Sequence, residues 1–506
     1  MSNHSERSWL DRIEVIGNKL PDPVLLFICG TLMIVICAEV AVQSGWQVEK
    51  ALPNVSSEWI HARSLFSSEG IWWWLSSLVK NFIEFPPLGI VLVGMLGIGL
   101  AERCGLLPAL IIVAGNAIKE RYLIPAIIFI GIMSSMALDA GYVVLPPIAA
   151  ILFLAAGHSP VLGIVASFAG VSAGFGANLF ITSLDPLLAG FTQASAQFLQ
   201  SDYQVAVTSN WYFMIASTFV LTLAGWLVTA KWVMPRVNNI DAEVPPQPHN
   251  SVESKSESTQ VSRVALSWAG GGFILLLILV LAAINIPNAP LHGEGQHFPR
   301  WVEVTVPLLF AFFIIPAVVY GLKARTIQSS RQFAKYMNET IADLGPYIVL
   351  AFFAAQFITV FKYSHLGEML ALSGGSWLAS LQLGVGALLI AFVLLACVGN
   401  LLIGSMSAKY AFMAPVFVPM LMQAGVAPEL TQVAYRIGDS VTNVITPLNP
   451  YMIIVLAMLQ KYHRQAGIGT LISLTLPYSI GFLIAWLGLL LIWITLRIPL
   501  GPSFVY

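Results

Sequence analysis

Apolar residues run through this chain in long blocks instead of alternating with polar ones. Runs such as VLLFICGTLMIVICAEVAV from residue 24 and ISLTLPYSIGFLIAWLGLLLIWITL from residue 472 reach the length of about 20 residues that an α-helix needs to cross a bilayer core. Counting such runs predicts about nine full spans, together with several broken ones. Membrane β-strands would show a two-residue alternation over segments of about ten positions. The pattern therefore predicts an all-α polytopic membrane protein.

The longest interruption is RVNNIDAEVPPQPHNSVESKSESTQVSR, residues 236 to 263, which is rich in Ser, Pro and charge and reads as a flexible linker. It divides the chain into an N-terminal half (1–235), a polar linker (236–262) and a C-terminal half (263–506). Arg7, Arg12 and Lys19 precede the first span, whereas the next loop, near residues 45 to 70, has one Lys and one Arg. By the positive-inside rule the N-terminus is expected in the cytoplasm. With the linker also inside, the span from about residue 264 leads out to NAPLHGEGQHF. The span from about residue 302 then returns to KARTIQSSRQFAK, whose four basic residues sit inside as the rule requires. The first apolar run is too long for a cleavable signal peptide and lacks a small-residue cleavage site.

Composition sharpens the class. The chain has 506 residues, 57% hydrophobic and only 10% charged, with a mean hydropathy of +0.81, far from the averages of soluble domains. A net charge of −1 without a Lys/Arg cluster gives no sign of a nucleic-acid partner. Cys29, Cys37, Cys104 and Cys397 lie in or beside apolar segments at no metal-ligand spacing and read as packing residues. The triplet in IWWWLSSLVKNFIEF, residues 71 to 85, reads as an interfacial aromatic belt. Glu102 and Arg103 read as solvated charges at a span's end, and His158 as a turn residue.

Shifting the chain by 268 positions lays residues 139–170 over 407–438 with ten identities in 32 ungapped positions. They include Tyr142 with Tyr410, Pro147 with Pro415, Gly157 with Gly425, Pro160 with Pro428 and Gly170 with Gly438. After a slip of four, LDP at 184–186 lies over LNP at 448–450. Each half thus holds a Pro-interrupted apolar hairpin, expected at 122–158 and 390–424, and a broken helix, expected at 161–200 and 428–461. Paired interrupted segments in two halves are the sequence signature of a secondary transporter with re-entrant hairpins and unwound helices. Non-helical backbone at that depth persists only where it is buried in protein or lines a polar cavity.

Within AYRIGDSVTNVITPLNP, residues 434 to 450, Arg436 and Asp439 are three apart and face roughly the same way on a helix. Ionisable groups inside a membrane cost about 3 kcal/mol or more and are functional-site candidates by default. A mutually satisfied ion pair locking two helices is the structural alternative. Asp185, in ANLFITSLDP, is the counterpart at the first break, with a helix cap as its alternative role. Asn178 precedes it as Asn443 precedes Pro447.

The ordered motifs LLPAL, SSMALDAGYVVLPP, GANLFITSLDP, NWYFM, GSMSAKYAFMAPVFVPM, YRIGDSVTNVITPLNP and the terminal IPLGP resemble the p-aminobenzoyl-glutamate transporter family along essentially the whole chain. The resemblance implies a homodimer in the bacterial inner membrane, with nine spans and two opposed re-entrant hairpins per protomer. It also implies an internal inverted repeat and a scaffold separate from a transport core. It implies transport of p-aminobenzoyl-glutamate or export of sulfonamide antimetabolites, coupled to Na⁺ or H⁺, and no enzymatic activity. The family's substrate positions fall on Asp185, Ser407, Tyr410, Pro428, Arg436, Asp439, Asn443 and Pro447. Its cation site falls on Asn400, Asp439 and the backbone near Gly404, oxygen ligands that suit a hard monovalent cation. Where the family commonly has Trp this chain has Tyr410, preceded by Lys409. Lys409 either snorkels from a hairpin arm to the interface or pairs with a substrate carboxylate.

In the resulting mechanism Arg436 takes an anionic or sulfonyl group, Ser407 and Asn443 hydrogen-bond it, and Tyr410 packs on its aryl ring. Asp439 with Asn400 holds Na⁺, or Asp439 or Asp185 carries a proton. A dicarboxylate or citrate carrier would share the hairpins and the ANLFITS and VTNVIT breaks. A membrane aspartyl protease is disfavoured because IGD at 437–439 lacks the first Gly of GxGD; no HExxH is present. A channel would need no coupling ion.

Overall fold

The computed structural model describes residues 23–50, 58–116, 119, 122–137, 140–237 and 253–504. Arg7, Arg12 and Lys19, which carry the orientation expectation, lie outside the described residues, as do positions 238–252 of the expected linker. In the first half α1 (Pro23–Gln43) leads into the short antiparallel pair β1 (Gln47–Lys50) and β2 (Glu58–His61), with Val48 opposite Ile60. Then come α2 (Ser68–Ile83), α3 (Pro86–Arg103), α4 (Leu106–Asn116) and α5 (Leu123–Met133), which tightens into a 3₁₀ turn over Ser134–Ala137. They are followed by α6 (Ala140–Ala155), α7 (Pro160–Ala173), α8 (Leu184–Ala196) and α9 (Trp211–Val228), the last continuing through a π turn to Val237.

The second half begins with α10 (Glu253–Asn285), then α11 (Thr305–Lys323), α12 (Ser330–Asp343), α13 (Gly345–Tyr363) and α14 (Leu366–Ser380). It closes with α15 (Val385–Leu402), α16 (Met406–Gln423), α17 (Pro428–Thr442), α18 (Tyr451–Gln460) and α19 (Ile468–Thr495). The start of α10 revises the linker boundary. Residues 253–262 are helical because ESKSESTQVS contains neither Gly nor Pro to stop a helix that the apolar segment after it propagates.

Among the described residues eight helical segments are long and apolar enough to cross a membrane, and four apolar helices are shorter. The chain is a multi-pass membrane protein. Apolar sequence that looks continuous by hydropathy is cut into these shorter helices by Gly-Pro turns and by two unwound stretches, 174–183 and 443–450.

The repeat-related segments share local structure. Gly157 and Gly425 take φ of +75° and +84°, the left-handed region that favours glycine at the residue ending a helix. At both, the following residue's N–H bonds back five positions, His158 to Phe153 O at 2.8 Å and Val426 to Leu421 O at 2.9 Å. This Schellman closure is followed by Pro160 and Pro428 at the first turn of α7 and α17, where a missing N–H costs nothing. The helices before each turn carry internal prolines, Pro146 and Pro147 in α6 and Pro415 and Pro419 in α16.

Two packing groups result. α11 packs on α3 and α10, and α1 on α13; α7 and α17 are enclosed by α5, α6, α8, α15, α16 and α19. Every residue of α7 and of α17 is buried. At Gly438 an added Cβ would stand 2.4 Å from the Val393 carbonyl, so only glycine lets α15 lie this close to α17.

Some peripheral expectations change. Arg103 is not merely solvated; it bridges α3 to α12 through Glu339 at 3.0 Å and through Asp343. Cys104 and Cys397 are buried, whereas Cys29 and Cys37 are exposed on α1, so only the first two are packing residues. Trp73 stacks on Tyr363 at 3.9 Å, while Trp72 is exposed.

Candidate functional site

α17 is a polar helix, and every one of its residues is buried. Residues four apart form rows along it, and two adjacent rows carry its chemistry. Gln432, Arg436 and Ser440 make one row; Tyr435, Asp439 and Asn443, the residue that ends the helix, make the other.

The first row faces the N-terminal half. Arg436 Nη2 donates to Asp185 Oδ1, and Nη1 to the Gly176 carbonyl at 3.4 Å. Asp185 sits in the first turn of α8, and its Oδ2 accepts from Thr182 N–H at 2.6 Å and Thr182 Oγ1 at 2.9 Å. It thus takes the ionic role and braces the unwound stretch before α8; it caps no N–H of that helix, whose N-cap residue is Ser183. Thr192 of α8 stands 3.0 Å from Gln432 Oε1 and 2.6 Å from the Tyr410 hydroxyl. Three polar atoms of this row, Gln432 Nε2, Arg436 Nε and Ser440 Oγ, are buried without a hydrogen-bond partner. Buried polar groups are nearly always paired. Three orphans in one row, where the first break approaches so closely that a Cβ on Gly176 would lie 2.5 Å from Ser440 Oγ, mark unused hydrogen-bonding capacity.

The second row faces the second hairpin and is saturated. Lys409 Nζ lies 2.5 Å from Asp439 Oδ1 and donates to Asn400 Oδ1. Asn400 Nδ2 stands 2.8 Å from the Asp439 carbonyl, 2.9 Å from Thr442 Oγ1 and 2.8 Å from Asn443 Oδ1. Asn443 Nδ2 reaches Asp439 Oδ2 at 3.3 Å. The Tyr435 hydroxyl donates to the Met406 carbonyl at 2.6 Å, with Asp439 Oδ1 at 3.3 Å.

These contacts decide between alternatives at two positions. Arg436 and Asp439 do not pair with each other: adjacency on the helix brings them side by side, but the longer reach of Arg436 takes it across to Asp185. Lys409 does not snorkel to an interface. Its side chain is 1% exposed, because the arm that carries it is packed between α15, α17 and α8.

The other expected positions are spread around the two rows. Tyr410 is fully buried, with its ring 4.3 Å from that of Tyr435, so it presents no open face. Ser407, in the first turn of α16, hydrogen-bonds Ser405 at 3.3 Å. Pro428 opens α17, Pro447 lies in the unwound stretch after it, and Gly404 packs on the Leu448 backbone. Asn178 holds the first break to the 3₁₀ turn through Ser135 at 3.0 Å. Gln432, Ser440 and Thr192 were not anticipated; counting four either way from Arg436 finds the first two, while Thr192 has no sequence signal.

The oxygens that a sodium ion would need, Asn400 Oδ1 and Asp439 Oδ1, both bond the Lys409 ammonium. As arranged, this donor set does not fit a second cation. Among the described residues no group of three or more His, Cys, Asp or Glu could hold a metal ion.

Comparison with known proteins agrees with this architecture over its whole length. Residues 8–506 match the family described as "AbgT putative transporter family". The chain is 37% identical over 499 residues to the p-aminobenzoyl-glutamate transport protein of Escherichia coli strain K12, covering 98% of this chain and 96% of that protein. The crystal structure of the Alcanivorax borkumensis YdaH transporter superposes with a TM-score of 0.87 at 38% identity, covering 95% of this chain and all of that one. Neisseria gonorrhoeae MtrF, described as illuminating a class of antimetabolite efflux pumps, superposes with a TM-score of 0.88 at 41% identity, covering 96% and 97%. This chain belongs to the AbgT family of membrane transporters, and it is not an enzyme.

Proposed function

We propose that the chain is an ion-coupled secondary transporter of p-aminobenzoyl-glutamate or a similar aromatic anion, with sulfonamide antimetabolites as alternative cargo. We place it as a homodimer in the bacterial inner membrane, with the N-terminus in the cytoplasm. The observation that carries this function is the first row of α17. Arg436 joins the two halves through Asp185 yet keeps Nε free, between two further unpartnered polar atoms.

A guanidinium binds a carboxylate best through two parallel N–H groups. With Nη2 held by Asp185, the Nε edge is available to one oxygen of an incoming carboxylate or sulfonyl group. Gln432 Nε2 can donate to the second oxygen, and the Ser440 hydroxyl can donate or accept. The anion then shares the guanidinium with Asp185, a carboxylate of like charge, and weakens the contact that ties the first break to α17. Such a contact, tight without cargo and loosened with it, is what a core needs in order to shift between two states that the substrate biases.

The test is counterflow of radiolabelled p-aminobenzoyl-glutamate in proteoliposomes, with Na⁺ and pH gradients imposed separately. Saturable flux driven by one gradient and abolished in Arg436→Ala is expected. Saturable flux of labelled succinate or citrate with no flux of p-aminobenzoyl-glutamate would refute the substrate and favour a dicarboxylate carrier.

A further inference from the structure

We infer that Lys409 is a tethered cation occupying the position between Asn400 and Asp439 where a free sodium ion was expected, so that this chain binds no sodium ion there. The inference deepens the transporter reading and rests on it only for its meaning in coupling.

Three features carry it. The first is the donor set: Lys409 Nζ is bonded by Asp439 Oδ1 at 2.5 Å and by Asn400 Oδ1, two oxygens from two different helices that would otherwise serve a hard monovalent ion. The second is orientation. The Asn400 amide is fixed by the bonds of its Nδ2 to the end of α17, which turns its carbonyl oxygen toward the ammonium. The lysine stem lies over Gly399, whose added Cβ would come 3.6 Å from Cδ, and the Tyr435 ring stands 5.8 Å from Nζ. The ammonium is therefore held on several sides and has no path to solvent along its own side chain.

The third is charge. Around α17 the buried acids Asp185 and Asp439 face the buried bases Arg436 and Lys409, and each pair is neutral; the third buried acid, Glu429 in the first turn of α17, accepts from the Tyr203 hydroxyl at 3.0 Å. A sodium ion added beside Asp439 would leave one uncompensated positive charge in a low-dielectric interior, which is strongly unfavourable. Without Lys409 the sign reverses: Asp439 would be bare, and a cation from solution could take its place. A tethered ammonium neither enters from one side nor leaves on the other, so a sodium gradient has no purchase at this position.

The test compares thermal unfolding of the purified full-length protein in NaCl and in choline chloride at equal ionic strength. Wild type is expected to unfold at the same midpoint in both. Lys409→Ala is expected to unfold lower in choline and to recover with sodium in a saturable manner, as a ligand bound only by the folded state requires. A sodium-specific rise in wild type that disappears in Asp439→Asn would overturn the inference, and so would a folded Lys409→Ala that ignores sodium. If Lys409→Ala does not fold, the wild-type and Asp439→Asn pair still decides. A wild-type rise that survives Asp439→Asn places sodium elsewhere and leaves these two oxygens to the ammonium. None of these readings needs a transported substrate, so the absence of p-aminobenzoyl-glutamate flux would count against the proposed cargo and not against the tethered cation.

Discussion

The two rows of α17 lie on one helix, in one buried environment, and each contains one ion pair, yet they are finished differently. Gln432, Arg436 and Ser440 leave three polar atoms unpartnered, whereas the polar groups of Tyr435, Asp439 and Asn443 all engage the second hairpin or one another. A saturated network fixes one geometry, while an incomplete one stores binding capacity at a cost in stability. Under the proposed function the rows have separate tasks: the first meets cargo, the second holds α17 to α15 and α16.

The largest effect comes from removing half of either pair. Arg436→Met and Asp439→Asn each leave an uncompensated buried charge, and each is expected to destabilise by about 3–5 kcal/mol. The rows separate in the charge-balanced doubles. Arg436→Met with Asp185→Leu should regain most of the stability and none of the substrate binding, while Lys409→Met with Asp439→Leu should regain both. Unfolding midpoints and substrate affinity on the four proteins check this, and substrate binding by the Arg436 double would abolish the division of labour.

An intermediate effect is expected at Asn443, which the family resemblance places in the substrate site. Its side chain already bonds Asn400 Nδ2 at 2.8 Å and Asp439 Oδ2 at 3.3 Å. Asn443→Ala should therefore cost about 1–3 kcal/mol of stability through the partners it strands, with KM for counterflow unchanged. A raised KM at unchanged stability would move Asn443 to the cargo row.

Much of this arrangement was legible in the chain before any coordinates. Pro160 and Pro428 mark helix starts and Gly157 and Gly425 mark helix ends because their backbone chemistry is local, and local chemistry is written in consecutive residues. The intramembrane charges stand out in the sequence because of what they cost in lipid. Their partners do not. Lys409 and Asp439 are joined across a hairpin, and Arg436 and Asp185 across the two halves, so the pairing depends on how α16 and α8 dock against α17. Helical spacing places Arg436 beside Asp439 and leaves their mutual pairing open as an alternative, whereas each pairs with a residue of another helix. The snorkelling expectation for Lys409 failed for a related reason: hydropathy shows that an arm is apolar, but not that protein encloses it on all sides.

The smallest effect is the most discriminating. Ser440 Oγ is fully buried and has no partner, so Ser440→Ala removes a polar group whose desolvation is not repaid within the protein. Removing an unsatisfied hydroxyl, which leaves only the methyl group of alanine, spares its desolvation cost and is nearly neutral or stabilising, and the unfolding midpoint should stay level or rise slightly. If the hydroxyl is instead satisfied by cargo, the variant loses one hydrogen bond only in the bound state. That loss corresponds to about 0.5–1.5 kcal/mol, or roughly a 2- to 13-fold weaker affinity for p-aminobenzoyl-glutamate. Stability and affinity would then move in opposite directions at a single atom, as expected where a binding site forgoes stability for function. A lower midpoint with unchanged affinity would make Ser440 an ordinary packing residue and leave Arg436 and Gln432 as the whole of the cargo row.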